Sequence, residues 1–245
     1  MKPSFEGYLN KMIVGSRKTK KTDKLLRELE PEDLKEIIFN HGLSSFPEYN
    51  YIGRKIINRV SAIRNCVDKK RMFRCFARYG VKSLEFFDLS IPQDRRKAIF
   101  RLLQRKELCL RRGRKIEIVG SIWRFRRIFR RYIYATTKVD KKTEWRILTL
   151  FDIPMRVFQK IGDEFALHLD NCEFKIDNNC PESVINEALK ASKACGIDMA
   201  GVDICLTTDN KVKVIEVNSG PGMSENSIEK LFRLIRMLKR KVGVI

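Results

Sequence analysis

Two runs of β-branched residues, 202–206 and 212–217, form the clearest hydrophobic pattern along the chain. They flank a short polar segment, which is typical of an antiparallel hairpin. With the Asp-Asn pair of that segment as the two central turn residues, Asp203 lies directly opposite Glu216. Asn218 points to the same face as Glu216, because side chains alternate along a strand. The pattern therefore predicts a hairpin that collects two carboxylates and one amide oxygen on one face.

The rest of the pattern predicts helices and strands in mixed order before the hairpin, and one helix after it. Residues 1–22 are polar and basic and predict a loosely ordered arm. The predicted helices are 23–42, divided at Pro31, and 61–65, 68–79, 92–105, 181–195 and 224–242. The predicted strands are 56–58, 81–87, 107–112, 115–119, 143–151, 155–161 and a stretch around 174–176. Residues 121–135 fit a helix and a strand equally well, so both stay open.

Composition indicates a globular protein with a sizeable core. The chain has 245 residues, of which 43% are hydrophobic and 33% charged, a balance that excludes a disordered chain. No apolar run approaches the length of a membrane span, and the first residues lack the apolar core of a signal peptide. We therefore expect a cytoplasmic protein with no membrane contact. The seven cysteines contain no C-x-x-C pair, which argues against a disulfide framework or a zinc site.

The net charge is the second unusual property. Lysine and arginine number 51 against 30 acidic residues, a formal charge of +21. Such a surface attracts polyanions, whether nucleic acid, an acidic peptide or a nucleotide. Part of the excess is also explained as a solvated surface, and the charge does not determine the fold.

The chemistry of the hairpin face follows from its two acids. Two ionised carboxylates held close together repel each other unless a cation lies between them. An all-oxygen site with few ligands suits Mg²⁺ that is also held by substrate phosphates. The alternative is that Asp203 and Glu216 are ordinary solvated acids beside a turn.

The end of the hairpin strengthens the metal interpretation. The segment Glu-Val-Asn-Ser-Gly-Pro-Gly, residues 216–222, follows a hydrophobic strand and precedes a helix start at Ser224. It resembles the metal-binding end of the ATP-grasp superfamily. In that family an Asp on one strand and a Glu-x-Asn on the next hold the magnesium ions that bridge the nucleotide phosphates. The resemblance implies that Asp203, Glu216 and Asn218 bind Mg²⁺, or Mn²⁺ in its place, together with ATP.

Other segments resemble the family in the same order along the chain. Residues 58–69, which end in Asp-Lys, resemble the entry to the ATP-grasp fold, where the lysine reaches the nucleotide phosphates, and this implies Lys69. The strand at 108–112 implies that Arg111 or Arg112 contacts the nucleotide. Gly113 and Gly120 are the only glycines where the family often has a glycine-rich loop. This difference implies a shorter lid or a lost activity.

The Glu-x-Arg sequence at the start of a strand resembles the element in which the family contacts the transferred phosphate or an acyl-phosphate. It implies a catalytic role for Arg146, with Glu144 on the nucleotide side. Lys160 lies where related ligases carry a second basic residue that faces the site, which implies a catalytic role for Lys160 as well. His168 lies in a Leu-His-Leu segment and is interpreted as a structural histidine, with a substrate contact as the alternative.

The resemblance covers residues 55–240 and implies an α+β fold, the ATP-grasp fold, with two α+β subdomains and the nucleotide between them. D-alanine–D-alanine ligases, glutathione synthetases and the ligases that add glutamate to ribosomal proteins are members. The expected division is 1–55 as a basic arm and helical segment, 56–135 as the first subdomain and 136–245 as the second. The N-terminal α/β domain usual in the family is expected to be truncated or replaced.

The function implied is an ATP-dependent carboxylate–amine ligase that forms an amide bond through an acyl-phosphate. Its partners would be ATP, a carboxylate substrate and an amine acceptor, each an amino acid, a peptide or an acidic polymer. The alternative is a non-catalytic ATP-grasp protein that binds nucleic acid or another polyanion. The high positive charge and the glycine-poor loop favour the alternative, whereas the complete set of metal ligands opposes it.

Overall fold

The structure is a computed structural model that describes residues 13–15, 20–29, 32–34, 37–45, 55–113, 115–162 and 172–242. Its helices are α1 (Lys20–Glu28), α2 (Val60–Val67), α3 (Lys69–Tyr79), α4 (Pro92–Leu103), α5 (Ile122–Ile128), α6 (Glu182–Cys195) and α7 (Glu225–Val242). Its strands are β1 (Ile13–Gly15), β2 (Ile37–His41), β3 (Lys55–Ile57), β4 (Phe86–Asp88), β5 (Leu108–Arg112), β6 (Lys115–Val119), β7 (Tyr134–Thr137), β8 (Lys141–Leu150), β9 (Ile153–Ile161), β10 (Glu173–Ile176), β11 (Met199–Thr207) and β12 (Val212–Asn218). Short 3-10 turns span Glu32–Leu34 and Phe129–Arg131.

The described strands form three sheets. The largest is antiparallel, with the strand order β10-β9-β8-β11-β12. A four-stranded antiparallel sheet has the order β4-β7-β5-β6. The strands β1-β2-β3 form a small parallel sheet. The fold is therefore α+β, as the sequence predicts, with helices packed on mainly antiparallel sheets.

The five-stranded sheet has one mainly apolar face. Trp145, Ile147, Val202 and Ile204 point to this face, and they pack against α6 together with residues of α2 and α3. The alternating positions of β8 and β11 form the opposite face, because successive side chains of a strand point to opposite sides. The second face is divided along its length, and this division creates the site described below.

Half of that second face is covered. Leu148, Leu150 and Met199 lie beneath α7 and the small parallel sheet, in a core that also contains Phe39 and Ile235. The other half, around residues 144–146, carries charged side chains. One half of this face therefore packs in an apolar core, and the other half carries charged side chains.

The four-stranded sheet packs on α4 and α5 around Leu102, Leu110 and Phe125. Its segment before β4 is tied to the outer edge of β12. The Val214 amide donates to the Lys82 carbonyl at 2.8 Å, and the Leu84 amide donates to the Val214 carbonyl at 3.2 Å. These bonds hold the two larger sheets beside one another along the edge strand β12.

The sequence predictions fail in three places. Residues 37–41 form a strand rather than part of a helix, because a short, fully buried apolar run carries no reliable period. Residues 13–15 form a strand that pairs with β2, where a loose arm is predicted. The strand predicted over 81–87 is shortened to β4. Residues 121–135, left open by the pattern, contain α5, a 3-10 turn and the start of β7.

The structure leaves two predictions untested. His168 lies outside the described residues. The division of the chain after residue 135 stays a prediction, and the core packing crosses it, since α2 and α3 share a core with α6 and the five-stranded sheet. Among the described helices, none is long and apolar enough to cross a membrane.

Candidate functional site

The hairpin β11–β12 brings Asp203 directly opposite Glu216, as the pattern predicts. The route to that register differs from the prediction. Thr207 pairs with Lys211 across a three-residue loop, whose last residue, Asn210, has a left-handed φ of 56°. A bulge between Asp203 and Ile204 then shifts the register by one residue. The longer loop and the bulge compensate, so the two acids still face each other.

A row of charged side chains crosses the middle of the sheet. Arg146 on β8 pairs with Asp203 on β11, which pairs with Glu216 on β12. The Arg146 guanidinium donates from Nε to Asp203 Oδ1 and from Nη2 to Asp203 Oδ2, both at 2.7 Å. This two-bond geometry is the strongest form of an arginine–carboxylate contact. Burial disfavours the charged guanidinium, yet the attraction of Asp203 outweighs it and raises the pKa of Arg146.

A second row of charged side chains lies two residues along β8 from the first, at Glu144. Lys160 on β9 pairs with Glu144 on β8, and its Nζ donates to Glu144 Oε1 at 2.7 Å. The same Nζ lies 3.1 Å from Asp203 Oδ2, while Lys141 donates to the other Glu144 oxygen at 2.6 Å. The Lys160 side chain is only 1% exposed. Burial lowers its pKa, but the two carboxylates have the larger effect and raise it, so the ammonium group stays charged.

Glu216 has its own set of partners. Lys69 Nζ lies 2.9 Å from Glu216 Oε2, and the Asn218 amide donates to Oε1 at 2.9 Å. Burial would raise the pKa of Glu216, but the charge of Lys69 and these hydrogen bonds lower it to about 2. Because the NH₂ group of Asn218 is used in this way, its side-chain oxygen is left as a potential ligand atom.

Lys69 reaches this position through the start of α3. Asp68 caps the helix by accepting hydrogen bonds from the backbone amides of Lys70 and Arg71. Gly80 ends the helix in the left-handed conformation, with φ 63°. The caps set the first turn of α3 over the edge of β12, where Lys69 meets Glu216.

A narrow cleft lies between the two larger sheets, lined by Lys69, Arg111, Tyr134, Thr136 and Glu216. Its walls leave a volume of only about 10 Å³. The Thr136 hydroxyl is buried and has no hydrogen-bond partner within the described part of the chain. An unsatisfied buried hydroxyl is costly, so this atom indicates that the cleft accommodates a polar group that the protein itself does not supply.

The structure distinguishes between the two arginines left open by the sequence. Arg111 lines the cleft, whereas Arg112, the next residue on β5, is exposed and does not line it. Arg112 pairs with Lys115, so only two residues connect β5 to β6. The connection is therefore a tight turn at Gly113, which has φ 60°, in line with the short, glycine-poor loop that the sequence implies.

Some residues near the site were not predicted from the sequence. Phe174 lies under the Arg146 guanidinium, with 5.2 Å from Cζ to the ring centroid, and Phe158 meets Phe174 edge to face. Asn58 exchanges hydrogen bonds with the backbone of Met199 at 2.8 and 2.9 Å, which fixes the start of β11. Phe158 carries no local signal, and Asn58 is marked in the sequence only as the first residue of the segment 58–69 that resembles the entry to the ATP-grasp fold. The contacts themselves join residues distant in the sequence.

The charged rows and the cleft together contain three carboxylates (Asp203, Glu216 and Glu144), the Asn218 amide oxygen and five basic side chains (Lys69, Arg111, Lys141, Arg146 and Lys160). No cluster of three or more His, Cys, Asp or Glu side chains that could bind a metal occurs among the described residues. A cation bound by Asp203, Glu216 and Asn218 would thus need further oxygen ligands. Phosphate oxygens meet that need, and the surrounding lysines and arginines suit them.

Comparison with known proteins agrees with this geometry. Residues 144–236 match the RimK-like ATP-grasp domain. Among curated proteins, none matches the sequence. Among solved structures, the ATP-grasp ligase PsnB in complex with a minimal precursor is 13% identical, with a TM-score of 0.62 over 85% of this chain and 90% of that chain.

Two further structures are similar. D-alanine–D-alanine ligase from Bacillus anthracis, complexed with ATP, is 14% identical, with a TM-score of 0.65 over 93% of this chain and 96% of that chain. N5-carboxyaminoimidazole synthase from Aspergillus clavatus, complexed with ADP and 5-aminoimidazole ribonucleotide, is 17% identical, with a TM-score of 0.56 over 75% of this chain and 53% of that chain. At these identities the likeness establishes the fold.

The resemblance seen in the sequence is thus confirmed at the level of the fold, by the domain match and by the similar solved structures. This chain has the ATP-grasp fold, and its residues 144–236, which include the charged rows and the hairpin, match the RimK-like ATP-grasp domain.

Proposed function

We propose that this protein is an ATP-dependent carboxylate–amine ligase, dependent on Mg²⁺ and able to use Mn²⁺ in its place. The observation that carries the proposal is the row Arg146, Asp203 and Glu216, with Lys69 and Lys160 bound to its carboxylates. A row in which acids for a cation alternate with bases for phosphates is suited to phosphoryl transfer, which relies on positioning and charge stabilisation.

The residues divide into two groups by chemistry. Asp203, Glu216 and Asn218 would hold the metal, whose charge helps to neutralise the nucleotide phosphates. The low pKa of Glu216, about 2, keeps that carboxylate ionised and able to bind a cation at any physiological pH. In the absence of a ligand, basic side chains neutralise both carboxylates, so phosphates and metal would replace contacts that already exist.

The basic side chains would bind the phosphates. Lys69 and Arg111 line the cleft with Thr136, whose unpartnered hydroxyl supports a polar ligand there. Arg112 would be a second contact to the nucleotide, and this contact would require the β5–β6 turn to move. A nucleotide is far larger than about 10 Å³, so its binding would require the cleft walls to separate.

Arg146 and Lys160 would stabilise the transferred phosphoryl group and an acyl-phosphate formed on the substrate carboxylate. Glu144 would hold Lys160 in place on the nucleotide side of the site. An amine then displaces phosphate and forms the amide bond. An acyl-phosphate hydrolyses readily, so closure of the cleft around the nucleotide would protect it from water. The proposal includes a cytoplasmic location. It also takes the carboxylate substrate and the amine acceptor to be, each, an amino acid, a peptide or an acidic polymer.

The test is binding of a non-hydrolysable ATP analogue, measured by calorimetry with and without Mg²⁺. Asp203→Asn and Glu216→Gln should each weaken Mg²⁺-dependent binding by at least about tenfold, because each removes a charged ligand. ADP release in the presence of candidate amino acids and acidic peptides then tests turnover.

Asp209→Asn is the matched control. Asp209 is an acid of the same hairpin, exposed at the turn and paired with Lys211 at 2.8 Å, away from the charged row. This variant should bind the analogue like the parent protein. Mg²⁺-dependent binding that survives in both Asp203→Asn and Glu216→Gln would contradict the proposal.

A further inference from the structure

A second pocket, with a volume of about 460 Å³, lies at the N-terminal end of α4. Its walls come from the first turn of α3, the turn after β4, the first turn of α4 and the segment from the 3-10 turn after α5 to β7. They include Lys70, Leu89, Arg95, Phe129 and Arg130, and we call this site the arginine pocket. None of its residues belongs to the charged rows described above.

Two cations of the arginine pocket have no carboxylate partner within the described residues. In the part of the chain that the structure describes, Arg95 donates only to the backbone carbonyl of Leu89, at 3.2 Å, and no acidic side chain contacts Arg130. Lys70 differs, because its ammonium group lies 2.8 Å from Asp88 Oδ1. The pocket therefore presents two uncompensated guanidinium groups, which favour an anionic ligand.

An aromatic platform positions these guanidinium groups. The Cζ atoms of Arg95 and Arg130 lie over the Phe129 ring, 5.3 and 5.9 Å from its centroid. The Phe129 ring also stacks on Phe125, with 5.6 Å between centroids. The ring thus already contacts two guanidinium groups and a second aromatic ring, whereas sites for single-stranded nucleic acid present free aromatic faces to the bases. Stacked guanidinium groups with free N–H donors instead match carboxylates, which they bind in pairs of hydrogen bonds.

The arginine pocket adjoins the cleft between the sheets. Consecutive residues serve the two places: Lys69 lines the cleft and Lys70 the pocket, and Tyr134 lines the cleft while Ile133 lines the pocket. Neighbouring Cα atoms are about 3.8 Å apart. The arginine pocket and the cleft therefore share a wall of backbone, and a peptide seated in the pocket has that wall to pass in order to reach the cleft.

We propose that the arginine pocket binds the carboxylate side chains of an acidic peptide, and that this peptide is the substrate delivered to the cleft. The binding statement depends only on the pocket. The statement that the peptide is a substrate rests on the proposed function, and the experiments separate the two.

The binding test uses a fluorescein-labelled octaglutamate peptide and the full chain without nucleotide, followed by fluorescence anisotropy. Arg95→Gln/Arg130→Gln should weaken binding by at least about tenfold, because charged hydrogen bonds to the peptide are lost. Arg96→Gln/Arg127→Gln is the control, because it removes the same charge from exposed positions on α4 and α5 that do not line the pocket. The control should lose less than about twofold in affinity. Equal losses in the two double variants would overturn the proposal, since net charge alone would then explain binding.

A variant without charge change tests whether the pocket is a built site. Phe129→Leu removes the aromatic platform and keeps both arginines, and we expect it to weaken peptide binding by about threefold. Circular dichroism and thermal unfolding verify that each variant is folded. Affinity that is unchanged in folded Phe129→Leu would contradict a platform-held site.

Competing ligands test the carboxylate assignment. A phosphoserine peptide and a single-stranded oligothymidylate of equal charge should compete more weakly than unlabelled octaglutamate. Tighter binding of either one through Arg95 and Arg130 would show that the pocket binds phosphate groups and would overturn the assignment.

Nucleotide binding in the same variants separates this proposal from the previous one. Arg95→Gln/Arg130→Gln should bind the ATP analogue normally, and Asp203→Asn should bind the peptide normally. A parent protein that binds the peptide through the arginines but never binds nucleotide would refute the ligase proposal, and with it the substrate statement, and would leave peptide binding by the arginine pocket intact. A parent protein that binds nucleotide but not the peptide would refute the arginine pocket alone.

Discussion

Asp203 illustrates how this protein holds a buried charge. Its side chain is 5% exposed and accepts two hydrogen bonds from Arg146, with Lys160 at 3.1 Å. Removing charges from water costs several kcal/mol per ion, and only close, well-oriented partners offset that cost. Buried pairs of this kind are therefore modest contributors to stability when complete, and strongly destabilising when one partner is missing.

A double-mutant cycle tests this balance. Arg146→Met should lower the free energy of unfolding by about 3–5 kcal/mol, because it leaves Asp203 buried with Lys160 alone. Arg146→Met/Asp203→Leu should regain most of that loss, while Lys160 keeps Glu144. The single variant Asp203→Leu completes the cycle, and urea unfolding measures the three changes in free energy.

The exposed pair Arg101–Glu85 is the control for that cycle, because it has comparable hydrogen bonds but side chains 37% and 38% exposed. Arg101→Met should cost less than about 1 kcal/mol. Equal costs for Arg101→Met and Arg146→Met would mean that burial of the Asp203 pair has no energetic consequence.

The hairpin β11–β12 depends on close packing at its base as well as on its turn. Gly201 pairs with Asn218 and lies beneath the segment that leaves β12. A Cβ atom on Gly201 would lie 2.7 Å from Cβ of Pro221. Because a proline ring cannot rotate away, the glycine sets how closely the Ser-Gly-Pro-Gly segment can return over the sheet.

Gly201→Ala should therefore destabilise the protein by about 1–3 kcal/mol through overpacking. Its melting temperature should fall by several degrees, at about 2–4 °C per kcal/mol for a chain of this size. Displacement of Asn218 should also weaken binding of the ATP analogue. Thermal unfolding and calorimetry provide the two measurements.

Gly120→Ala is the matched control for the hairpin. Its added Cβ would meet only the flexible Glu107 side chain, at 3.7 Å, and its φ is not in the left-handed region. This variant should retain the parent melting temperature to within about 2 °C. A tolerated Gly201→Ala would mean that the segment after β12 shifts freely and does not constrain the site.

The chain as a whole carries 51 basic against 30 acidic residues. Several acids outside the buried site are already paired, including Glu85, Glu107 and Glu117. The remaining positive groups repel one another in the folded state more than in the expanded unfolded chain. Net repulsion, and not the sum of surface ion pairs, should therefore dominate the response of stability to salt.

Salt should accordingly stabilise the protein. Raising NaCl from about 0.01 M to about 0.1 M shortens the Debye length from about 30 Å to about 10 Å. The melting temperature should rise by about 3 °C over this range. Arg126→Glu/Arg127→Glu, at exposed positions on α5, should reduce the increase. A melting temperature that falls with salt would indicate that surface ion pairs outweigh the repulsion.

The sequence predicted most of the local structure near the site. The facing pair Asp203 and Glu216 and the Asp68 cap of α3 follow from alternation and capping, which act over a few residues. The strand β2 was assigned to a helix, because five fully buried residues give no period to read. The register of the hairpin was correct at its acids only because two deviations compensated, and no local rule anticipates a bulge.

The chain alone determined which residues share a face of the hairpin and which chemical groups that face carries, because strand alternation and side-chain chemistry are local properties. Only the tertiary structure decided that Lys69 meets Glu216, that Arg146 rather than solvent holds Asp203, and that Arg95 and Arg130 share one aromatic ring. These contacts join segments far apart in sequence. Their partners are set by how sheets and helices pack around shared cores, and a local pattern contains no record of that packing.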